Sequence, residues 1–103
     1  MYGLIGKFIA QDGKRDDLIS ALVTASSALP GCLSYIVARD PSDANTLWVT
    51  EVWDSQESHV ASLKLPAVQA VIAEVRPWIG GIERVATTEP IGGHGLVGAR
   101  RLQ

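Results

Sequence analysis

The sequence predicts an α+β domain of the ferredoxin-like type, a four-stranded antiparallel sheet with helices on one face. Apolar residues recur with the period of a strand or of a helix in the order strand, helix, strand, strand, helix, helix, strand. The length of 103 residues suits one domain, expected over residues 1–90, followed by a flexible glycine-rich tail over residues 91–103. Hydrophobic residues make up 47% and charged residues 19%, which is typical of a globular protein.

The first third of the chain predicts a strand, a helix and a second strand. Tyr2–Ala10 alternates its side chains between two faces, as a strand does. Residues 14–29 carry apolar side chains at helical spacing. Pro30-Gly31 should end that helix, because proline cannot extend it and glycine accepts the turn. Cys32–Arg39, rich in Leu, Tyr, Ile and Val, predicts the second strand.

A hairpin and a short helix are predicted next. Turn-forming residues 40–45 separate the second strand from a third over Thr46–Trp53, so these two strands should pair. Asp54 then has the character of a helix N-cap, with Glu57 three positions later as its capping-box partner. The helix itself should run from residue 55 to about residue 64.

The last third of the domain predicts one more helix and the final strand. Pro66 suits the first turn of this helix, and Pro77 should end it. Gly80-Gly81 should turn the chain into a last strand over residues 82–89.

Both faces of the predicted strands are apolar. In the third strand Leu47 and Val49 point to one side while Trp48 and Val52 point to the other. Helices of the same chain can cover only one face of the sheet, and a face in contact with water would carry more polar residues. A second copy of the chain is the simplest cover for the remaining face. The sequence therefore predicts a homodimer that packs sheet against sheet.

Charge, hydropathy and cysteine content exclude several classes of protein. The net charge is −2, with acids and bases spread along the chain, so no surface for nucleic acid is expected. No apolar run approaches the ~20 residues of a membrane helix. The single cysteine, Cys32, can close no internal disulfide, so we expect a cytoplasmic protein. His94 has no partner at ligand spacing, and no metal site is expected.

One segment carries a resemblance to a known family. Residues 30–67 read PGCLSYIVARDPSDANTLWVTEVWDSQESHVASLKLPA, with a Pro-Gly-Cys-Leu-Ser-Tyr run, a strand ending in Glu-Val-Trp and a Ser-x-x-Ser-His helix start. This pattern resembles the signature of the antibiotic biosynthesis monooxygenase (ABM) family, and the resemblance extends over about residues 2–90. It implies a dimeric α/β barrel with a pocket in each subunit, between the sheet and the helices.

The resemblance also implies a function. Its better-understood members oxidise quinols or polycyclic phenols with O₂ and use no metal or flavin, so we favour a cofactor-independent monooxygenase with a small aromatic substrate. Other members degrade haem or isomerise small molecules, so an isomerase or a non-catalytic dimer that binds a small ligand stays an alternative. Haem-degrading relatives carry an asparagine in the first strand and a histidine on a later helix. Here the first strand has Lys7 and no asparagine, and residues 66–76 contain no histidine.

His59 is the leading candidate for catalysis. An imidazole is the natural general base near pH 7, and His59 stands near the start of the predicted short helix. Glu51 is a carboxylate in an otherwise apolar strand, where burying a charge without a partner is costly. We expect His59 to return over the strand end and meet Glu51, which would orient the imidazole. A purely structural hydrogen bond between them is the alternative.

Aromatic side chains are the candidate walls of a substrate pocket. Trp53 shares the face of Glu51 by the period of two, and Trp48 lies on the opposite face. Two arginines near strand ends, Arg39 and Arg84, could offset negative charge on a substrate, although solvated surface positions are the favoured interpretation. The candidate substrate-binding residues are Trp53, Tyr35, Trp78 and Phe8.

Overall fold

The structure, a computed structural model, describes residues 1–96. The predicted flexible tail falls largely on residues 97–103, which lie outside the described residues. Residues 91–96 form neither a helix nor a strand. Within the described part of the chain, no helix has both the length and the apolar character needed to cross a membrane.

Residues 1–96 form four strands, three α-helices and one short 3-10 helix, in the predicted order. The bounds are β1 Tyr2–Ala10, α1 Arg15–Ala25, β2 Cys32–Arg39, β3 Thr46–Trp53, α2 Gln56–Ser62, α3 Pro66–Val75, the 3-10 helix Arg76–Trp78 and β4 Ile79–Thr88. The ferredoxin-like α+β fold is confirmed, and the first three strands have the predicted bounds.

The sheet has the strand order β2-β3-β1-β4, and all neighbouring strands run antiparallel. β1 therefore lies inside the sheet, between β3 and β4. The register places Leu4 opposite Glu51 on one side of β3 and Tyr35 opposite Glu51 on the other. Because alternate residues of a strand face the same side, this register decides which side chains meet on each face.

The helices cover one face of the sheet, and the hydrophobic core lies between the two layers. Its most deeply buried members are Leu18 of α1, Leu47 and Val49 of β3, and Val75 of α3. Burying a side chain of this size stabilises a fold by about 1.5–3 kcal/mol. The helix-side face of β3 is therefore the one that carries Leu47 and Val49, together with Glu51 and Trp53.

The first helix is shorter than predicted. It ends at Ala25, whereas the pattern predicted a helix over residues 14–29. The hydroxyls of Ser26 and Ser27 donate back to the carbonyl oxygens three residues earlier, at 3.0 and 3.1 Å. These bonds satisfy carbonyls that the last turn leaves without a partner, so the helix ends well before Pro30.

The N-cap of α2 is Ser55, one residue after the predicted Asp54. Ser55 has an extended backbone, and its hydroxyl accepts a hydrogen bond from the backbone N–H of Ser58 at 3.1 Å. Asp54 instead donates its backbone N–H to the carbonyl oxygen of Gly31 at 2.9 Å. Glu57 therefore does not complete the predicted capping box, because the third helical position belongs to Ser58.

The last strand begins at Ile79, earlier than the predicted residue 82. Its glycine pair lies inside the strand instead of forming a turn before it, and Gly81 pairs with Ile9 of β1. The 3-10 helix over Arg76–Trp78 has already redirected the chain, so the glycines are free to extend the sheet.

Within residues 1–96, no helix covers the other face of the sheet, which we call the open face. Ile36 is 59% exposed on this face, and Trp48 shares it by register. The ammonium group of Lys7 lies 5.6 Å from the centre of the Trp48 ring and 3.6 Å from a carboxylate oxygen of Glu83. The open face thus combines exposed apolar groups with an ion pair near its middle.

Candidate active site

A cavity lies between the sheet and the helices, beside the core. Its volume is about 350 Å³, which is in the range of small-molecule pockets. Apolar side chains of α1, of α3 and of the C-cap of α2 form its roof, among them Leu22, Ile72 and Leu63. The sheet supplies its floor through Phe8, Tyr35, Glu51, Trp53, Ile82 and Arg84. We call this space the helix-side cavity.

Glu51, Trp53 and His59 meet along the wall of the helix-side cavity. The indole N–H of Trp53 donates a hydrogen bond to Oε1 of Glu51 at 2.9 Å. Nε2 of His59 lies 3.9 Å from the same oxygen, which is too long for a hydrogen bond but forms an ion pair when the imidazole is protonated. The side chains of His59 and Glu51 are only 11% and 18% exposed, so water screens their interaction weakly.

His59 is also held by aromatic rings. Its ring centre lies 5.3 Å from that of Trp53, in an edge-to-face arrangement at 66°. The ring of Tyr2 lies 5.7 Å away on a tilted plane. Tyr2 was not among the predicted site residues, and it reaches His59 because the register places it opposite Trp53 at the end of the sheet. The two rings restrict the orientations open to the imidazole.

The start of α2 is fixed by close packing against the start of β2. Gly31 has a φ of +80°, and a Cβ added there would stand 2.6 Å from Oγ of Ser58. Only glycine tolerates both the backbone conformation and this approach. At the other end of the helix, the hydroxyl of Ser62 donates to the carbonyl oxygen of His59 at 2.6 Å. The Pro-Gly pair of the motif therefore allows α2, the helix that carries His59, to pack closely against the start of β2.

Tyr35 presents a neutral hydroxyl group to the cavity. It lies opposite Glu51 in the sheet and lines the helix-side cavity. Burial raises the pKa of Tyr35, and the nearby Glu51 and Cys32 raise it further. The phenol therefore stays protonated at neutral pH and is available as a hydrogen-bond donor to a ligand.

The remaining aromatic side chains lie in different parts of the fold. Phe8 lines the cavity, but Trp78, expected as a substrate contact, does not: it faces a separate groove between α1 and α3. The cause is the topology, because Trp78 precedes the residue that pairs with Ala10, at the far end of β1 from Tyr2. Trp48 lies on the open face and donates its indole N–H to Oδ2 of Asp40 at 2.9 Å.

The two arginines considered in the sequence also lie in different parts of the fold. Arg39 forms an ion pair with Asp16 at 2.9 Å, on the surface. Arg84 instead lines the helix-side cavity, opposite Gly6 of β1. A shift in the β1–β4 register at this point decides which residues of β4 face the helices. Arg84 is exposed, as the solvated interpretation expected, and it also borders the cavity, a position for which the sequence contains no signal.

The chemistry available in the cavity is proton transfer in a partly dry space. His59 is a candidate base, Glu51 and Trp53 hold it in place, and Tyr35 is a hydrogen-bond donor. Among residues 1–96, no three His, Cys, Asp or Glu side chains are grouped as metal ligands. The polar groups are few and the walls are apolar, as in sites that bind aromatic compounds.

Comparison with known families and sequences gives one clear match. The sequence model of the family described as antibiotic biosynthesis monooxygenase matches residues 1–74. This stretch includes β1, β3 and α2, the elements that carry Tyr2, Glu51, Trp53 and His59. Among curated proteins, no sequence matches the chain.

Solved structures share the fold over nearly the whole chain. A protein from Chloroflexus aurantiacus that carries the antibiotic biosynthesis monooxygenase name is 57% identical, with a TM-score of 0.88, over 92% of this chain and 97% of that one. A protein of the same name from Deinococcus radiodurans is 24% identical, with a TM-score of 0.75, over 95% and 100% of the two chains. SnoaB of Streptomyces nogalater, a cofactor-independent oxygenase, is 12% identical, with a TM-score of 0.73, over 90% and 95%.

Proposed function

Because the chain belongs to the antibiotic biosynthesis monooxygenase family, we propose that it is a cofactor-independent monooxygenase that oxidises a small quinol or polycyclic phenol with O₂. The observation that carries the proposal is the meeting of His59, Glu51 and Trp53 at the wall of an apolar cavity of about 350 Å³. Deprotonation of a phenol requires a base within reach, and the apolar walls limit the access of water to the anion that forms.

The proposed reaction begins with proton transfer. His59 takes the proton of a substrate hydroxyl, which leaves an electron-rich anion in the cavity. The anion passes one electron to O₂, and the two radicals combine to form a carbon–oxygen bond. His59 returns its proton to the peroxide, and the O–O bond then breaks as the terminal OH and the hydrogen on the same carbon leave together as one molecule of water. One oxygen atom stays in the product as a quinone carbonyl and the other leaves as water.

Each of the remaining residues has a distinct part in this proposal. Glu51 is a positioning residue that stabilises the protonated imidazole, and Trp53 holds the carboxylate through its indole N–H. Tyr35 donates a hydrogen bond to the substrate anion, and Phe8 packs against its ring system. The apolar roof excludes water, so the anion meets O₂ instead of being protonated by solvent.

Oxygen consumption by the metal-free protein against a panel of hydroquinones and anthrones tests the proposal. We expect uptake that requires the protein and falls by about 100-fold or more in His59→Ala, the usual size of a general-base contribution. His94→Ala is the matched control, because the other histidine of the chain lies outside the cavity. Equal uptake in His59→Ala and His94→Ala would remove His59 as the base. No uptake with any compound would overturn the oxygenase proposal in favour of an isomerase or a ligand-binding protein.

We also propose that the protein is a cytoplasmic homodimer in which two open faces pack together. Ile36 and Trp48 lie on this face, and Lys7 and Glu83 form an ion pair there. A stable interface buries more than about 1,000 Å² in total, and a four-stranded sheet face is a surface of suitable extent. The single cysteine, Cys32, can close no internal disulfide, so the cysteine content does not imply an oxidising compartment.

A further inference from the structure

Two large apolar side chains mark an opening of the helix-side cavity. Leu63 is 45% exposed and Ile82 is 65% exposed, and both also line the cavity. A side chain that borders a cavity and is also exposed lies where the cavity wall meets solvent. The cavity therefore opens between the C-cap of α2 and the strand β4, and its rim is apolar on these two sides.

The apolar surface continues from this opening along α2. Val60 is 44% exposed and precedes Leu63 by three positions, so the two side chains are neighbours on the helix surface. Val60 also lines a shallow groove of about 350 Å³ on the outside of α2, which we call the α2 groove. The residues that line the α2 groove are Gln56, Glu57, Val60, Ala61 and Lys64.

The α2 groove suits a flexible, uncharged chain. Glu57 and Lys64 carry opposite charges, so the groove favours neither an anion nor a cation. The seven-residue step from Leu63 back to Gln56 spans roughly 10 Å along the helix axis. An extended alkyl chain of about eight carbon atoms has the same length at ordinary C–C distances.

The base and the opening lie on the same helix. His59 and Leu63 are four positions apart on α2, so their side chains are neighbours at roughly 5–6 Å. When a ring hydroxyl meets His59, the ring carbon next to the one that bears the hydroxyl is therefore close to Leu63. A substituent on that carbon leads out of the cavity, whereas one on the opposite carbon leads toward buried Val75 and the core.

We propose that the substrate carries an aliphatic chain next to its reacting hydroxyl, and that this chain passes between Leu63 and Ile82 and lies over Val60 in the α2 groove. This inference rests on the proposed function, because it specifies the substrate of the same cavity. The chain removes exposed apolar surface from water, which stabilises the complex. Val60 is then a specificity-determining residue that contacts the substrate outside the cavity.

Equilibrium binding without oxygen tests the inference separately from turnover. The probes are α-naphthol and three derivatives that carry a methyl, propyl or pentyl chain on the carbon next to the hydroxyl. Isothermal titration calorimetry should show the pentyl compound binding about tenfold more tightly than the methyl compound, since each half-buried methylene group contributes about twofold. The isomer with the pentyl chain opposite the hydroxyl is the control compound, and its affinity should not depend on Val60.

Variants of two valines complete the experiment. In Val60→Ser the tenfold gain should fall to about threefold, while the unsubstituted naphthol should bind as it does to the unaltered protein. Val60→Ile should keep the gain. Val23→Ser is the matched control, because Val23 is also an exposed valine, at 52%, but lies on α1 and is not among the described residues that line the cavity or the groove. Circular dichroism confirms that each variant is folded.

Three results are distinguishable. A gain with chain length that falls in Val60→Ser and stays in Val60→Ile and Val23→Ser supports the inference. No gain with chain length, or the same gain in Val60→Ser, overturns it, while the oxygenase proposal stands on oxygen uptake with quinols that lack a chain. Failure of every naphthol to bind overturns the inference, and oxygen uptake with the other quinols then decides the oxygenase proposal by itself.

Discussion

Trp53 donates its indole N–H to Glu51 at 2.9 Å, across one intervening residue of the same strand. The ring of Trp53 also packs edge-to-face on His59, whose Nε2 lies 3.9 Å from the accepting carboxylate oxygen. The side chain of Trp53 therefore orients both the proposed base, His59, and the carboxylate beside it, Glu51. It does so from the face of β3 that carries the core, where Trp53 is 1% exposed.

The first prediction concerns this tryptophan. Trp53→Phe keeps a ring against His59 but removes the donor to Glu51, leaving a largely buried carboxylate without its hydrogen bond. We expect the free energy of unfolding to fall by about 1–3 kcal/mol and oxygen uptake to fall by about tenfold, because the carboxylate no longer holds a fixed position. Urea denaturation and oxygen-electrode rates measure the two effects.

Trp48→Phe is the matched control for Trp53→Phe. It removes an indole hydrogen bond of the same length, to Asp40, on the opposite face of the sheet. We expect oxygen uptake to stay near that of the unaltered protein. If Trp48→Phe lowers uptake as much as Trp53→Phe does, the effect is not specific to the Glu51 contact.

The second prediction concerns the pKa of Asp40. The Trp48 indole, followed by hydrogen bonds from Ser42 and Asp43, lowers the pKa of Asp40 to about 2. A carboxyl group whose pKa is lowered by folding stabilises the protein above its ordinary value of 3.8, and this stabilisation is lost as the pH falls through about 2. In Trp48→Phe the pKa should move up toward the ordinary value. An NMR titration of the Asp40 carboxyl carbon measures it, and an unchanged pKa would contradict the role given to the indole.

The third prediction concerns the close packing of α2 against Gly31. Gly31→Ala must bear both a positive φ and a Cβ 2.6 Å from Oγ of Ser58. Gly13→Ala is the control, because Gly13 has a similar φ of +75° but nothing within 4 Å of the added Cβ. We expect a loss of about 1 kcal/mol in Gly13→Ala and about 3 kcal/mol in Gly31→Ala. Equal losses, measured by urea denaturation, would mean that the contact with Ser58 relaxes freely.

The fourth prediction concerns pH. The folded protein raises the pKa of Tyr35 above 10, chiefly through burial, so the unfolded chain loses this proton first. The contribution to stability is fully present below pH 10 and is lost as the pH rises above it. Tyr35→Phe should flatten this alkaline decline in the free energy of unfolding, measured by urea denaturation at a series of alkaline pH values. A decline of the same slope in Tyr35→Phe would assign it to other groups.

The fifth prediction concerns the open face. Ile36→Arg places a charge where two sheets are proposed to meet, and it should convert the dimer to a monomer at micromolar concentration. Val60→Arg is the control, because Val60 is also an exposed apolar residue, at 44%, but it lies on α2. Sedimentation velocity measures the oligomeric state. A monomeric unaltered protein, or a dimeric Ile36→Arg, would contradict the sheet-to-sheet arrangement.

The sequence predicts the strands better than their surroundings. Tyr2–Ala10, Cys32–Arg39 and Thr46–Trp53 are bounded as expected, because each is an apolar run between strong turn signals. The end of α1 at Ala25 depends on serine hydroxyls that bond back to the helix, and residue type alone does not show whether they will do so. The start of β4 depends on pairing with β1, which is a long-range property.

In the candidate site, too, local patterns predicted some features, whereas others depend on side-chain torsions or long-range pairing. The period of two placed Glu51 and Trp53 on one face, and the short distance along the chain suggested that His59 would meet them. The hydrogen bond from Trp53 to Glu51 could not be foreseen, since it depends on side-chain torsions. Tyr2 and Arg84 enter the site only through the pairing of β1 with β3 and β4, so no local pattern identifies them.

The central place of β1 has a consequence for the newly made chain. β1 is the first strand of the described fold to be made, yet along Gly3–Ala10 it pairs with β4, the last strand of that fold to be made. Until β4 arrives, one edge of β1 carries unpaired backbone groups that can recruit strands of other chains. Such long-range pairing also slows folding. Production of this protein should therefore depend on dilution or chaperones during translation, even where the finished domain is stable.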